Sequence, residues 1–250
     1  MMSETGHRRW RSLATNTSRY ATALVLAILL TGCASAPEPT PEPTPEPAAA
    51  ADPEPVNWVI ADFLETPPAG LSTSGEPVLV ESPYGPAVEF DGEDDALFLD
   101  SNALAGLGTF TLEVVFRPDS DGPPEQRFLH FGQASGERVL LETRVTDEGK
   151  WYLDSFIQKG EAGQALIEPK LLHEADRWFH LAYVVDNGQL KNYVDGELEL
   201  TGEIPFSGLE GGETSIGVRL NRVHWFKGAF YTIRITPKAL APEAFTRPNQ

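Results

Sequence analysis

Residues 109–117 read Thr-Phe-Thr-Leu-Glu-Val-Val-Phe-Arg. Phe110, Leu112, Val114 and Phe116 alternate with Thr111, Glu113, Val115 and Arg117. Successive side chains of a strand point to opposite faces, so one face of this segment is wholly apolar and the other mixed. A strand of that kind sits between two sheets with its apolar face inward.

The same period of two recurs outward from this segment. It marks strands over 58–63, 87–90, 96–99, 127–131, 138–145, 151–157, 178–185, 190–194, 215–219 and 229–235. Between them stand Gly, Pro, Asn and Asp, and Asp186-Asn187-Gly188 and Asp195-Gly196 have the chemistry of tight hairpin turns. No long helical stripe is present. The expectation is an all-β domain over 57–250, a two-sheet antiparallel jelly-roll sandwich.

The chain begins differently. His7, Arg8, Arg9, Arg11 and Arg19 precede the apolar run ATALVLAILL at 21–30, which is shorter than a membrane span. Residues 1–32 therefore read as a signal peptide. Leu30-Thr31-Gly32-Cys33 resembles the lipobox of bacterial lipoproteins, and that resemblance implies cleavage before Cys33 and lipidation of its thiol. Each buried methylene would stabilise membrane attachment by about 0.8 kcal/mol. Cys33 is the one cysteine of the chain, so no internal disulfide forms. Ala34 follows it where the enterobacterial inner-membrane sorting pattern has Asp, which points to the outer membrane if the cell is Gram-negative. Residues 33–56 continue as a Pro-, Glu- and Thr-rich linker without the apolar residues of a core. In polyproline II at about 3.1 Å per residue, the Pro-rich part of this stalk, residues 36–55, reaches roughly 60 Å.

The formal charge is −18. A surface this acidic repels phosphate backbones, so nucleic acid is excluded as a partner. No G-x-S-x-G elbow is present, and no EF-hand spacing. The acids Asp91, Glu93, Asp94 and Asp95 crowd one turn, a pattern that suits a hard cation such as calcium.

Five segments taken in order carry a family likeness: Ala87-Val88-Glu89-Phe90-Asp91-Gly92, Phe110-Thr111-Leu112-Glu113, Trp178-Phe179-His180-Leu181-Ala182, Tyr193-Val194-Asp195-Gly196, and Phe226-Lys227-Gly228-Ala229-Phe230 continuing to Ile233-Arg234-Ile235. Together they resemble the laminin-G-like jelly-roll family, of the concanavalin A-like lectin and glucanase fold. The likeness runs from about 57 to 245, with 237–245 similar to the family's closing turn and short helix. It implies a fold that mostly binds glycans or proteins, with some members binding calcium and some cutting polysaccharides. His180 matches the family's W-x-H-x-A strand and reads as a packed structural histidine. The compact E-x-D-x-E-like array of the glucanase branch is absent, although Glu113, Glu142 and Asp154 fall at polar strand positions.

Sugar C–H faces stack on aromatic rings while hydroxyls seek polar partners. Two segments offer that combination: Trp151, Tyr152 and Asp154 in one strand, and Asn221, Arg222, His224 and Trp225 before the last. Arg138, Leu140, Glu142 and Arg144 alternate onto a third polar face. The reading is a lipid-anchored, non-catalytic binding module of the bacterial cell envelope, for carbohydrate first. The alternatives are a structural or adhesion module that binds protein and a divergent polysaccharide hydrolase.

Overall fold

The structure, a computed structural model, describes residues 53–248. The signal segment, Cys33 and the linker up to residue 52 lie outside the described residues.

In chain order the elements are β1 (Val56–Val59), α1 (Ile60–Glu65), β2 (Leu71–Ser74), β3 (Val78–Ser82), β4 (Gly85–Asp91), β5 (Ala96–Leu99), β6 (Thr109–Pro118), β7 (Glu125–Gly132) and β8 (Arg138–Val145). They continue with β9 (Lys150–Lys159), β10 (Ala162–Ile167), β11 (His173–Glu174), β12 (Phe179–Asp186), β13 (Gln189–Val194), β14 (Glu197–Glu203), β15 (Glu213–Ile216) and β16 (Lys227–Thr236), closed by a 3-10 turn at Pro242–Ala244. The first sheet runs β14-β13-β12-β6-β16-β4-β3, with β1 also on β16. The second runs β10-β9-β8-β7-β15-β5-β2, with β11 also on β9. The named pairings are antiparallel, and consecutive strands repeatedly cross from one sheet to the other, as a jelly roll requires.

Phe110, Leu112, Val114 and Phe116 point into the sandwich and are fully buried. There Phe116 packs against Phe128, Trp151, Phe226 and Phe230. The mixed face of β6 is buried too, under the C-terminal segment. Thr111 Oγ1 donates to Lys238 O at 2.7 Å, and Thr246 N donates to Glu113 Oε1 at 2.6 Å. Asn187 and Gly188 adopt the positive φ angles of a tight hairpin, 47° and 90°, between β12 and β13.

Two expected strands differ. The segment 58–63 leaves extended structure at Val59 and becomes α1, because Ile60, Ala61 and Phe63 bury one helical face while Asp62 faces out. The segment 215–219 stops at Ile216, because Gly217 takes φ 91°.

Candidate functional site

The inner residues of β7, β8 and β9 fill the core, and their outer residues form a polar face in transverse rows. Arg127, Glu142 and Asp154 stand side by side in one row, and Glu125, Arg144 and Tyr152 in the next. On the other side of the first row, Phe98, Ser215, His130, Leu140 and Phe156 succeed one another across five strands. Beyond them Arg138 faces Gln158.

The charged rows are cross-linked. Arg127 Nε donates to Glu142 Oε1 at 3.1 Å, and Arg127 also pairs with Glu125. Arg144 donates to Glu142 Oε2 at 3.0 Å, to Asp154 Oδ2 at 2.7 Å and to Glu125 Oε1 at 3.0 Å. Burial, together with the nearby Asp154 charge, raises the Glu142 carboxyl to about 7, despite the two arginines. His130 is wholly buried. Its Nε2 lies 3.0 Å from Gln133 O, and Leu220 N donates to its Nδ1 at 3.3 Å, which assigns the neutral tautomer with the proton on Nε2. Burial, reinforced by Arg219, Arg138 and Arg127, lowers its pKa to about 3.

The structure brings Tyr152 and Asp154 onto this face. His224 joins its rim: its carbonyl accepts from Arg127 N at 2.9 Å, and its Nδ1 lies 3.8 Å from Glu125 Oε2. Arg222 reaches over the neighbouring strands, where its guanidinium lies 4.4 Å from the Phe98 ring centroid and donates to Ser74 Oγ at 3.0 Å. Asn221 is exposed and Trp225 half-buried on the same connection between β15 and β16. Trp151 does not belong with them. It is 0 % exposed and packs on Phe116, Phe179 and His173, because the alternation that turns Tyr152 outward turns Trp151 into the core.

The acidic turn lies elsewhere. Asp91, Asp94 and Asp95 offer oxygens within 4.8 Å of one another and can hold a metal ion. Glu93 is not one of these three and lines the same opening, a cavity of about 930 Å³ that also has Glu76, Glu89 and Asp119 on its walls. Partial burial opposes ionisation of Asp91, yet the N–H groups of Glu93, Asp94 and Asp95 directed at Oδ1 hold it below the ordinary value. Asp95 is raised by desolvation and by its two aspartate neighbours, while it accepts from Glu76 N at 2.7 Å. Such a donor set of clustered carboxylates suits calcium or another hard cation.

His180 is a packed residue. Its Nε2 lies 3.0 Å from Glu113 Oε1, its backbone N donates to Asp195 Oδ1 at 3.0 Å, and its ring rests on Phe245. Close by, Tyr84 meets Tyr231 at 5.5 Å and Trp178 at 6.2 Å between ring centroids, beside a cavity of about 600 Å³ bordered by Arg177 and Arg247. Sequence reasoning missed this half-buried aromatic group, since Tyr84, Trp178 and Tyr231 come from distant segments and only pairing across the sheet brings them together.

Residues 91–244 match the laminin-G-type sequence family described as the concanavalin A-like lectin/glucanases superfamily. The chain belongs to that superfamily. Solved structures share its fold at low identity. Domain 4 of AbnA, a GH43 extracellular arabinanase from Geobacillus stearothermophilus, solved in complex with arabinotriose, is 21 % identical with a TM-score of 0.54; the match covers 68 % of this chain and 79 % of that one. The binding domain of botulinum neurotoxin DC in complex with rat synaptotagmin II gives 13 % and 0.51, covering 69 % and 44 %. The enzymatically active domain of bacteriophage CBA120 tailspike protein 2 gives 16 % and 0.52, covering 66 % and 28 %. This chain thus spans under half the length of the toxin and tailspike chains. No curated protein matches the sequence.

Proposed function

We propose that this chain is a lipid-anchored, non-catalytic carbohydrate-binding module of the bacterial cell envelope. Cys33 is its membrane attachment, in the outer membrane if the cell is Gram-negative, and the proline-rich linker carries the domain away from the lipid surface. The observation that supports the binding role is the outer face of the second sheet. Its fixed guanidinium and carboxylate groups present paired donors and acceptors suited to sugar hydroxyls, with the rings of Tyr152, Phe98 and Phe156 among them. The arabinotriose complex of the arabinanase domain is in keeping with this use of the fold. A calcium ion held by Asp91, Asp94 and Asp95 completes the reading, as a brace for the loop between β4 and β5.

One observation favours hydrolysis instead: Glu142 and Asp154 approach the same nitrogen of Arg144, and closely spaced carboxyl groups serve retaining glycosidases. Against it, both are buried and tied to that arginine, and neither lines any of the cavities described above. The test is binding of the purified protein to a panel of immobilised polysaccharides, with reducing-sugar release followed in parallel. Retention on a glycan, weakened at least tenfold by Tyr152→Ala at an unchanged melting temperature and without sugar release, is the expected result. Retention on none of them would overturn the reading, and steady release of reducing ends would replace it by hydrolysis.

A further inference from the structure

The charge on the second-sheet face runs against the rest of the protein. The whole chain is −18, yet this face gathers Arg127, Arg138, Arg144, Arg219 and Arg222 against the carboxylates of Glu125, Glu142 and Asp154. The three acids are taken up by Arg127 and Arg144. Arg138, Arg219 and Arg222 have no carboxylate within 4.0 Å among the described residues.

These three are nevertheless held in place. Arg138 Nη1 donates to Gly136 O at 2.5 Å and Arg219 Nη2 to Ala134 O at 3.3 Å, so both guanidinium groups are seated on the one hairpin that joins β7 to β8. The Nε of each is buried and has no acceptor among the described residues. Burial lowers the proton affinity of both, and like charge adds to it, from Arg219 and Arg127 at Arg138 and from Arg127 at Arg219, while the Glu142 carboxylate opposes it in part. Arg138 also lies 5.0 Å from the centroid of Phe156, as Arg222 lies over Phe98. These two arginine-capped rings end the row through His130 and are four strand spacings apart, about 19 Å. A single sugar does not reach both.

We propose that Arg138, Arg219 and Arg222 bind the carboxylate or sulfate groups of an extended acidic polysaccharide laid across the second sheet. A guanidinium presents paired donors to such groups in fork geometry, and an anion supplies the direct ion pair that none of the three makes among the described residues. This proposal rests on the carbohydrate-binding reading and names its ligand class.

The full-length protein in detergent is tested for binding to polygalacturonate, to its fully methyl-esterified form, to dextran sulfate and to dextran. Methyl esters keep the sugars and linkages and remove the charge, so the comparison needs no mutant. Binding to a charged polymer at least tenfold tighter than to its neutral counterpart is expected, falling tenfold or more in Arg138→Gln/Arg219→Gln at an unchanged melting temperature. Retention of neutral glycans alone would overturn the anionic assignment and leave the carbohydrate reading standing. Retention of none would overturn both. Equal binding of a single-stranded oligonucleotide, or polyuronate binding indifferent to both arginines, would also overturn the site.

Discussion

Glu142 and Asp154 stand opposite each other on neighbouring strands and share one guanidinium, with Arg144 Nη2 at 3.0 Å from Glu142 Oε2 and 2.7 Å from Asp154 Oδ2. Two like charges are thus joined in a buried place with His130 in the adjoining row. The arrangement has a consequence for stability that either residue alone would hide.

Burial and Asp154 raise Glu142 from 4.5 to about 7, so between those values the folded state holds a proton that the unfolded state has released, and stability falls as pH rises. His130 is the reverse. Lowered from 6.5 to about 3, it stays neutral in the fold while the unfolded chain takes up a proton, so stability is lost as pH falls through that window. The two slopes oppose each other between about 4.5 and 6.5. Relative to the wild type, Glu142→Gln is expected to gain stability on going from pH 5 to pH 8, and His130→Gln on going from pH 6.5 to pH 4, each by on the order of 1–3 kcal/mol. Urea denaturation at the four pH values checks this; a parallel pH dependence in all three proteins would refute it.

A second buried contact joins the two sheets. Asn192 on β13 donates from Nδ2 to Ser155 Oγ on β9 at 3.1 Å, and its Oδ1 accepts from Leu200 N at 2.9 Å, where the register of β13 and β14 shifts. Ser155→Ala would leave a buried N–H without an acceptor, which costs about 1–3 kcal/mol. Asn192→Ala removes the partners of both Ser155 and Leu200 and is expected to cost more. The double variant should then differ from the sum of the singles, and a double-mutant cycle by chemical denaturation measures the coupling. Strict additivity would show that the contact does not stabilise the sandwich.

Most of the fold was legible in the sequence, and the reason lies in burial. β6, β12 and the central part of β16 are covered on both sides or meet the core with one clean face, so their apolar residues recur at the period that betrays a strand. The strands β2, β3, β10, β11 and β14 were not foreseen. They lie at or beside the sheet edges and are partly exposed on both faces, as Val78, Leu79 and Leu198 show, so no apolar alternation is required of them. The candidate site was legible only in part. Alternation set Arg138, Glu142 and Arg144 on one face, but register alone brings Arg127, Asp154 and Tyr152 beside them, and strand pairing at a distance leaves no local mark. Trp151 was misread because an aromatic ring beside polar neighbours has the same sequence signature whether it faces the core or the solvent.

The acidic turn makes its own prediction. Asp91 and Asp95 also cap backbone N–H groups of their loop, whereas the exposed Asp94 side chain accepts no hydrogen bond among the described residues. Asp94→Asn therefore probes metal binding with little effect on the loop itself. Calcium is expected to raise the melting temperature of the wild type in a concentration-dependent way, since a ligand that binds only the folded state stabilises it by mass action. The same titration of Asp94→Asn should give a much smaller rise, with an unchanged melting temperature in EDTA. No response of the wild type to millimolar calcium would remove the metal from the account.

The hairpin between β12 and β13 supplies the sharpest test of backbone geometry. Gly188 has φ 90°, its carbonyl accepts from Ile204 N at 2.9 Å, and a Cβ placed on it would lie 2.1 Å from Ile204 O. Alanine would meet both an unfavourable backbone conformation and a backbone atom that has no rotamer to yield. The neighbouring Asn187, at φ 47°, is of a type that tolerates this region, and its side chain is exposed. Gly188→Ala is expected to destabilise the domain by about 2–4 kcal/mol, whereas Asn187→Gly should leave it within about 0.5 kcal/mol of the wild type. Thermal unfolding of both variants decides the matter: a mild Gly188→Ala would mean that the connection from β14 moves aside, so that the close approach of Ile204 to the turn does not constrain the sandwich.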